Sequence, residues 1–438
     1  MSTHEQTLNE WPVGRVKTAF QTLTARNASH GKVLTGSFVM LAGSTLVSFA
    51  NFGYNISVAH LLGPGDFSHA AAAVTLLMLS SCVNLAFQLV TAKFVARNES
   101  AAGRAAVYQS LLRRAWLVGL MVAGAMIAGS SALTSYLRMP SPTLIIVLGL
   151  GMMFYIPLGV RRGGMQGTCQ FIRLSANLTA EAVVKLISAV VLIEFGAGVL
   201  GAVASISLSV FVAFMLPAGD GELRGDAEIE TAASFMEGMQ AIIFFIGQVI
   251  ISNIDILMVK HYFAPADAGL YAAVALVGRL LYFATWSVTS VMFPVSAGTR
   301  VDEESRSVVA LPLLFIAALS IIFVLFLGAF PELVIRTLFG SGFHRVGSGV
   351  EQLLTANAIA TGVYAVCVVL ITYEMSRRIA NTGWFQLVVS LLIVVCVALF
   401  HNSLMQVVIV QQVLRGLLLL AVAIPFFGKV QNLQKGAA

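Results

Sequence analysis

Long apolar blocks alternate with short polar breaks along the whole chain, most of them about 17 to 25 residues long. A helix of that length crosses roughly 30 Å of hydrocarbon. Twelve spans are predicted, at 33–55, 67–90, 115–133, 143–160, 177–193, 199–216, 239–259, 268–293, 308–330, 353–373, 384–400 and 404–427. Several breaks are so short that neighbouring spans must run antiparallel. The pattern predicts an all-α polytopic membrane protein. Ahead of the spans, Val13, Val16, Phe20 and Leu23 recur at helical spacing opposite Arg15, Lys17 and Arg26. With no continuous apolar core in residues 1–32, this leader reads as an amphipathic helix on the cytoplasmic membrane surface and not as a cleavable signal.

Composition agrees, with 58% hydrophobic residues, 11% charged and a mean hydropathy of +0.89. A soluble domain carries about 25% charged residues, which argues against a globular cytosolic enzyme. The net charge of +6 would suggest a nucleic-acid partner in a soluble protein. Here the basic residues follow topology, and no nucleic-acid partner is expected. With the amino terminus inside, 19 of the 26 Lys and Arg fall in inner segments. Four fall outside, Arg138, Lys260, Arg336 and Arg345, and three lie within spans. Basic residues resist translocation, so both termini are expected in the cytoplasm. Cys82, Cys169, Cys367 and Cys396 have no CxxC spacing, and neither a disulfide framework, a metal site nor a cofactor is expected.

An internal repeat organises the chain. VAHLLGPGDFSHAAA from Val58 returns 201 residues later as VKHYFAPADAGLYAA from Val259. The matches are Val58/Val259, His60/His261, Pro64/Pro265, Asp66/Asp267, Ala71/Ala272 and Ala72/Ala273. Both copies fall in the outer turn between the first two spans of their half, so the halves are parallel repeats. Such repeats bind substrate between them near mid-membrane and expose it to alternate sides by rocking. The expected organisation is a leader at 1–32, six-helix lobes at 33–217 and 238–428, an acidic cytoplasmic linker at 218–237 and a tail at 429–438.

Ionisable groups within spans cost roughly 2.5 to 3.5 kcal/mol or more at mid-depth, so each needs a partner or a hydrated cavity. Lys185, Arg279 and Arg415 lie near the middle of their spans and are candidates to line a substrate cavity. Glu181 precedes Lys185 by four residues on one helix face, a candidate ion pair extended by Asn177. Gln248, Ser252 and Asp255 form a polar stripe on the seventh span, and Asn51 and Asn55 form one on the first. Asn51, Asn55, Gln248 and Ser252 join the cavity set, while Glu181 and Asp255 are candidates for coupling to H+ or Na+. Three mid-depth cations against two acids favour an anionic substrate.

No outer loop gathers paired carboxylates, HExxH or a Ser/His/Asp set, so no catalytic residues are assigned. The segment GSGFHRVGSG, 340–349, lacks GxxxxGK[ST] and reads as an outer loop. His60, His69, His261, His344 and His401 fall near the outer face without metal-ligand spacing and read as polar substitutes for excluded Lys and Arg.

Several segments resemble the polysaccharide flippase (Wzx-like) branch of the multidrug/oligosaccharidyl-lipid/polysaccharide exporter superfamily. They are HLLGPGDFSHAAAAV, RRGGMQGTCQF, LTAEAVVKLISAVVLIEFGAGVLGA, NIDILMVKHYFAPADAGLYAAVALVGRLLYF and PELVIRTLFGSGF, in that order along the chain. The resemblance implies a MATE-like transporter of two lobes around a central cavity in the bacterial cytoplasmic membrane. It implies flipping of an undecaprenyl-pyrophosphate-linked oligosaccharide to the outer leaflet, with membrane lipids and polysaccharide polymerase or assembly proteins as further partners. It also implies basic cavity residues, for which Lys185, Arg279 and Arg415 are the available positions. Where the branch commonly places an acid followed by Arg in the fifth span, this chain has Glu181 and Lys185, losing the bidentate fork. Two alternatives stand beside this reading. One is a cation-coupled drug or metabolite antiporter of the same fold, depending on Asp255 more than Arg279. The other is a membrane enzyme or assembly subunit, for which no catalytic set is found.

Overall fold

The computed structural model describes residues 13–98, 100–219, 223, 239–298, 304–344, 349–377 and 383–435, and among these no strand occurs. The first helix, α1 (Val13–Arg97), is broken at Gly63, where φ is 72° and ψ 175°. Only glycine adopts that conformation without strain, and Pro64 follows as a residue that cannot continue the ladder. Asn51 and Asn55 before the break and Met78 after it line one cavity, so the two arms fold back as a hairpin. Next come α2 (Ala101–Ala128), the short α3 (Ser130–Tyr136), α4 (Pro142–Gly167) and α5 (Phe171–Leu192). A π-turn at Ile193–Ala197 with positive φ at Gly196 leads into α6 (Gly198–Met215). Ser100 caps α2 by accepting the Gly103 N–H, and Ser141 with Pro142 starts α4.

The second half comprises α7 (Met239–Tyr262), α8 (Pro265–Gly298), α9 (Glu304–Ala329), α10 (Pro331–Phe339), α11 (Ser341–His344), α12 (Val350–Arg377), α13 (Gly383–Leu399) and α14 (Leu404–Lys435). Among the described residues eight helical stretches are long and apolar enough to cross a membrane. The break at Gly63 divides α1, the break at Gly196 divides α5 from α6, and α7 and the shorter apolar α13 bring the number to the twelve that the apolar pattern predicts. They pack as two groups, α1 with α2, α4, α5 and α6, and α7 with α8, α9, α12, α13 and α14. The groups meet where α1 lies against α7 and α8. Apolar side chains on the outside, such as Leu311, Leu314, Ile322 and Leu325 of α9, stay exposed, as lipid-facing residues must.

Small residues set the closest approach in the first group. Gly159, Gly163 and Gly167 form one stripe on α4, and a Cβ at each would stand 2.5, 2.5 and 2.8 Å from the carbonyl oxygens of Asn84, Gln88 and Ala92. Both rows advance by four residues, so backbone packs on backbone for two turns.

The two groups are sealed at the end that carries the repeated turns. Phe67 contacts Phe343 edge to face, with centroids 5.8 Å apart. A Cβ on Gly269 would fall 1.8 Å from the Pro64 carbonyl oxygen, so no larger residue fits there. The His261 ring stacks on Tyr136 at 4.0 Å, its Nδ1 2.6 Å from the Tyr136 carbonyl oxygen. Lys260 Nζ donates to Ser68 Oγ at 2.7 Å. Toward the other end the groups part. A gap of about 250 Å³ runs between Ser44, Ser48 and Phe49 on α1 and Ala284, Trp286 and Ser287 on α8.

Several expectations change in detail. The helix of the leader runs unbroken from Val13 into the first span, while residues 1–12 and most of the 218–237 linker lie outside the described residues. The fourth span does not stop at Val160: α4 continues to Gly167, so Arg161 and Arg162 sit on a helix and are buried, not in a loop. Within the 340–349 segment, Ser341–His344 make one helical turn.

Candidate functional site

At mid-depth, α1, α7, α8, α12 and α14 surround a cavity with about 120 Å³ of free space. The polar stripe of α1 supplies Asn51 and Asn55, the Asn55 amide donating to the Asn51 carbonyl at 2.8 Å. From α7 come Ser252, Asn253 and Asp255, and from α8 Arg279 and Tyr282. Asn357, Thr361 and Tyr364 of α12 and Arg415 of α14 close the wall. On α1, α8 and α12 the residues fall at i, i+3 or i+4 spacing, and Ser252 and Asp255 of α7 do the same, which turns one polar face of an otherwise apolar helix inward.

Arg279 donates one nitrogen to Asn253 Oδ1 at 2.9 Å and approaches Met78 Sδ at 3.8 Å. Arg415 donates to the Ile251 carbonyl at 3.0 Å and stands 5.4 Å over the Tyr364 ring. Its Nε is buried with no partner. Among the described residues, neither guanidinium has a carboxylate within ion-pairing distance. Asp255 is held differently. Its Oδ2 accepts from Tyr271 Oη at 2.7 Å and from Gln411 at 3.3 Å, while Oδ1 is buried and unpartnered. The wall thus carries two cations and one acid, none satisfied in full. An anion with several oxygens would complete the two guanidinium groups, and a donor such as a hydroxyl group would complete Asp255 Oδ1.

The remaining predicted residues lie behind this wall. Lys185 is buried, donates to Asn51 Oδ1 and stands 5.1 Å over the Tyr54 ring, so it reaches the cavity through Asn51. Gln248 donates to Tyr282 Oη at 2.7 Å and backs that side chain. The expected Glu181–Lys185 pair does not form. Glu181 Oε2 accepts from Arg162 at 2.5 Å, and Arg162 Nε donates to Asn177 Oδ1 at 2.8 Å. A partner from α4 outcompetes the lysine one turn away because its planar fork reaches both side chains at once.

Sequence reasoning missed Arg162, Asn253, Tyr271, Asn357, Tyr364 and Gln411. Three of the omissions carried the same signal as the stripes that were found. Asn357, Thr361 and Tyr364 fall at i, i+4 and i+7 on the tenth span, and Gln411 precedes Arg415 by four residues. Arg162 had no such signal, since it stands beyond the apolar block.

Residues 57–347 match the profile of a family described as polysaccharide biosynthesis proteins. The chain belongs to that family. No curated protein sequence matches this polysaccharide biosynthesis family member. Among solved structures, an inward-facing multidrug resistance MATE family transporter of the MOP superfamily superposes with a TM-score of 0.74 at 13% identity, covering 92% of this chain and 100% of that one. An outward-facing transporter of the same description gives 0.64 at 14% identity over 91% and 95%. A Vibrio cholerae MATE transporter gives 0.61 at 12% identity over 93% and 98%. At these identities the likeness establishes the fold. This polysaccharide biosynthesis family member therefore has the fold of MATE transporters.

Proposed function

We propose that the chain carries a lipid-linked oligosaccharide with a diphosphate headgroup, of the undecaprenyl type, from the inner to the outer leaflet by alternating access. The observation that carries this reading is the pair Arg279 and Arg415, which line the cavity between the lobes with no carboxylate bound to them. A headgroup of phosphates and sugars cannot cross hydrocarbon unaided. Guanidinium groups replace its counterions, and Asn51, Asn55 and Asn357 offer amides to sugar hydroxyls. The side gap between α1 and α8 shares Phe52 and Phe283 with the cavity, so a polyprenyl tail can stay in the bilayer while its headgroup is inside.

The charge asymmetry of the loops supports both termini in the cytoplasm, and the flippase reading puts the protein in a bacterial inner membrane. The sealed turns then face outward, and the described state is open toward the cytoplasm. Rocking of the lobes about the α1 contact with α7 and α8 would exchange the two openings. A second reading, cation-coupled export of small molecules, draws on the unpartnered Oδ1 of Asp255, which can take a proton or Na+.

The test is leaflet exposure of a fluorescent undecaprenyl-diphosphate oligosaccharide in proteoliposomes. Transfer that falls by at least about tenfold in Arg279→Ala/Arg415→Ala supports flipping through a cationic cavity. Undiminished transfer in that variant overturns the role of the arginines. No transfer by well-folded protein, together with efflux of organic cations that is lost in Asp255→Asn, moves the assignment to the antiporter.

A further inference from the structure

Lys260 is 1% exposed at the sealed end of α7, and its ammonium donates to a hydroxyl, Ser68 Oγ. Among the described residues no carboxylate stands within ion-pairing distance of it, although Asp66 is near enough to favour its charge and Arg138 to oppose it. An ammonium taken out of water is costly unless paired, and one neutral hydrogen bond offsets little of that cost. The bond joins the two lobes, so opening the seam must break it.

The repeat shows that this contact has no second copy. Shifted by 201 residues, Ala59 stands opposite Lys260 and Ser68 opposite Gly269. On that side the seam closes by backbone, with Gly269 against the Pro64 carbonyl. Lys260 is therefore the one cation in the repeated turns that the seam holds shut. It lies five residues beyond Asp255 on α7, about 7.5 Å further from the cavity toward the sealed end.

We propose that Lys260 is a second anion-binding position, masked in the described state. As the lobes part at the turns, its ammonium exchanges Ser68 for a phosphate oxygen of the headgroup that Arg279 and Arg415 release. This rests on the flippase reading. Because the anion binds Lys260 in the open-seam state and cannot reach it in the closed one, loading shifts the population toward opening. The empty carrier keeps its latch.

The experiment uses Ala72→Cys, a fully buried position one turn below Ser68, as a reporter in otherwise intact protein in sealed vesicles. A membrane-impermeant maleimide is added outside, and labelling is measured over the background of the chain without that cysteine. The additions are undecaprenyl diphosphate, undecaprenol and inorganic diphosphate. With Lys260 present, undecaprenyl diphosphate is expected to raise the labelling rate about tenfold, the effect of one charge-assisted hydrogen bond. Undecaprenol is expected to leave it unchanged. A response to inorganic diphosphate as well means the anion alone suffices, and a response to the lipid alone means the bilayer delivers it.

Ser68→Ala breaks the latch but keeps the ammonium, so labelling should start higher and still rise. Lys260→Gln should start equally high and no longer respond. A full response in Lys260→Gln, or an equal response to undecaprenol, overturns the proposal. Should the native lysine protein transport lipid diphosphate while its labelling stays flat, the Lys260 inference alone fails. Should it show neither transport nor a labelling response, the flippase reading fails and takes this inference with it.

Discussion

The α1 hairpin and the α7–α8 hairpin share Val58/Val259 and Ala72/Ala273, and all four side chains are fully buried. Elsewhere they diverge in kind. Tyr54, Ala59 and Met78 of the first stand where Asp255, Lys260 and Arg279 stand in the second. Arg279 even approaches Met78, its own repeat counterpart, which puts that pair on the local symmetry axis. Positions fixed by close packing tolerate little change of volume, so both copies keep them. The positions that differ in kind face the cavity or the seam, and there the second copy has gathered charge. The first half keeps its own ionic contact, Arg162 with Glu181, within its helix packing. The contrast is thus between charge that holds a lobe together and charge that faces what lies between lobes.

The strongest way to break this comparison is Glu181→Gln. It leaves a buried guanidinium without its counter-charge and should cost about 3 to 5 kcal/mol of stability, read as a lowered unfolding midpoint in detergent. Asp255→Asn should leave that midpoint within about 1 kcal/mol, because its oxygen can still accept from Tyr271. If the two variants unfold alike, the division between the halves is wrong. Next in size is the exchange Met78→Arg/Arg279→Met, which keeps the total charge and moves it across the axis. Leaflet transfer should fall about 100-fold, since the moved guanidinium loses Asn253 and stands away from Arg415. Transfer near the parent rate would show that the side of the axis does not matter. Gly163→Ala should cost about 1 to 3 kcal/mol by forcing α4 from the Gln88 carbonyl. Ile321→Val, exposed on α9, should change stability by no more than about 0.5 kcal/mol in the same unfolding assay.

The spans were legible because hydropathy is a local property, and twelve apolar blocks are hard to mistake. The polar stripes of the first and seventh spans were legible for a related reason, since one helix face can be read from spacing alone. Partner choice was not. The i, i+4 rule pairs Glu181 with Lys185 inside one helix and cannot see Arg162, which arrives from α4 after the chain has turned. Hydropathy also hid that arginine by ending the fourth span at Val160, although the helix continues through Gly163 and Gly167 against α1. Lys260 was hidden in the same way, counted with the outer loops when it is buried between lobes. Both errors lie at span ends, where a charged side chain can be covered by a neighbouring helix that sequence order does not reveal.

The gap between α1 and α8 opens along its side, from Phe52 and Phe283 at the cavity down past Phe49 and Trp286. A slot, unlike a tunnel, sets no limit on the length of what trails from it. In the transport proposed, each added isoprene unit would rest in lipid before, during and after the crossing, and would cancel from the free-energy difference between states. The machine would then measure its cargo by the head alone, and carriers with shorter or longer tails would cross at one common rate.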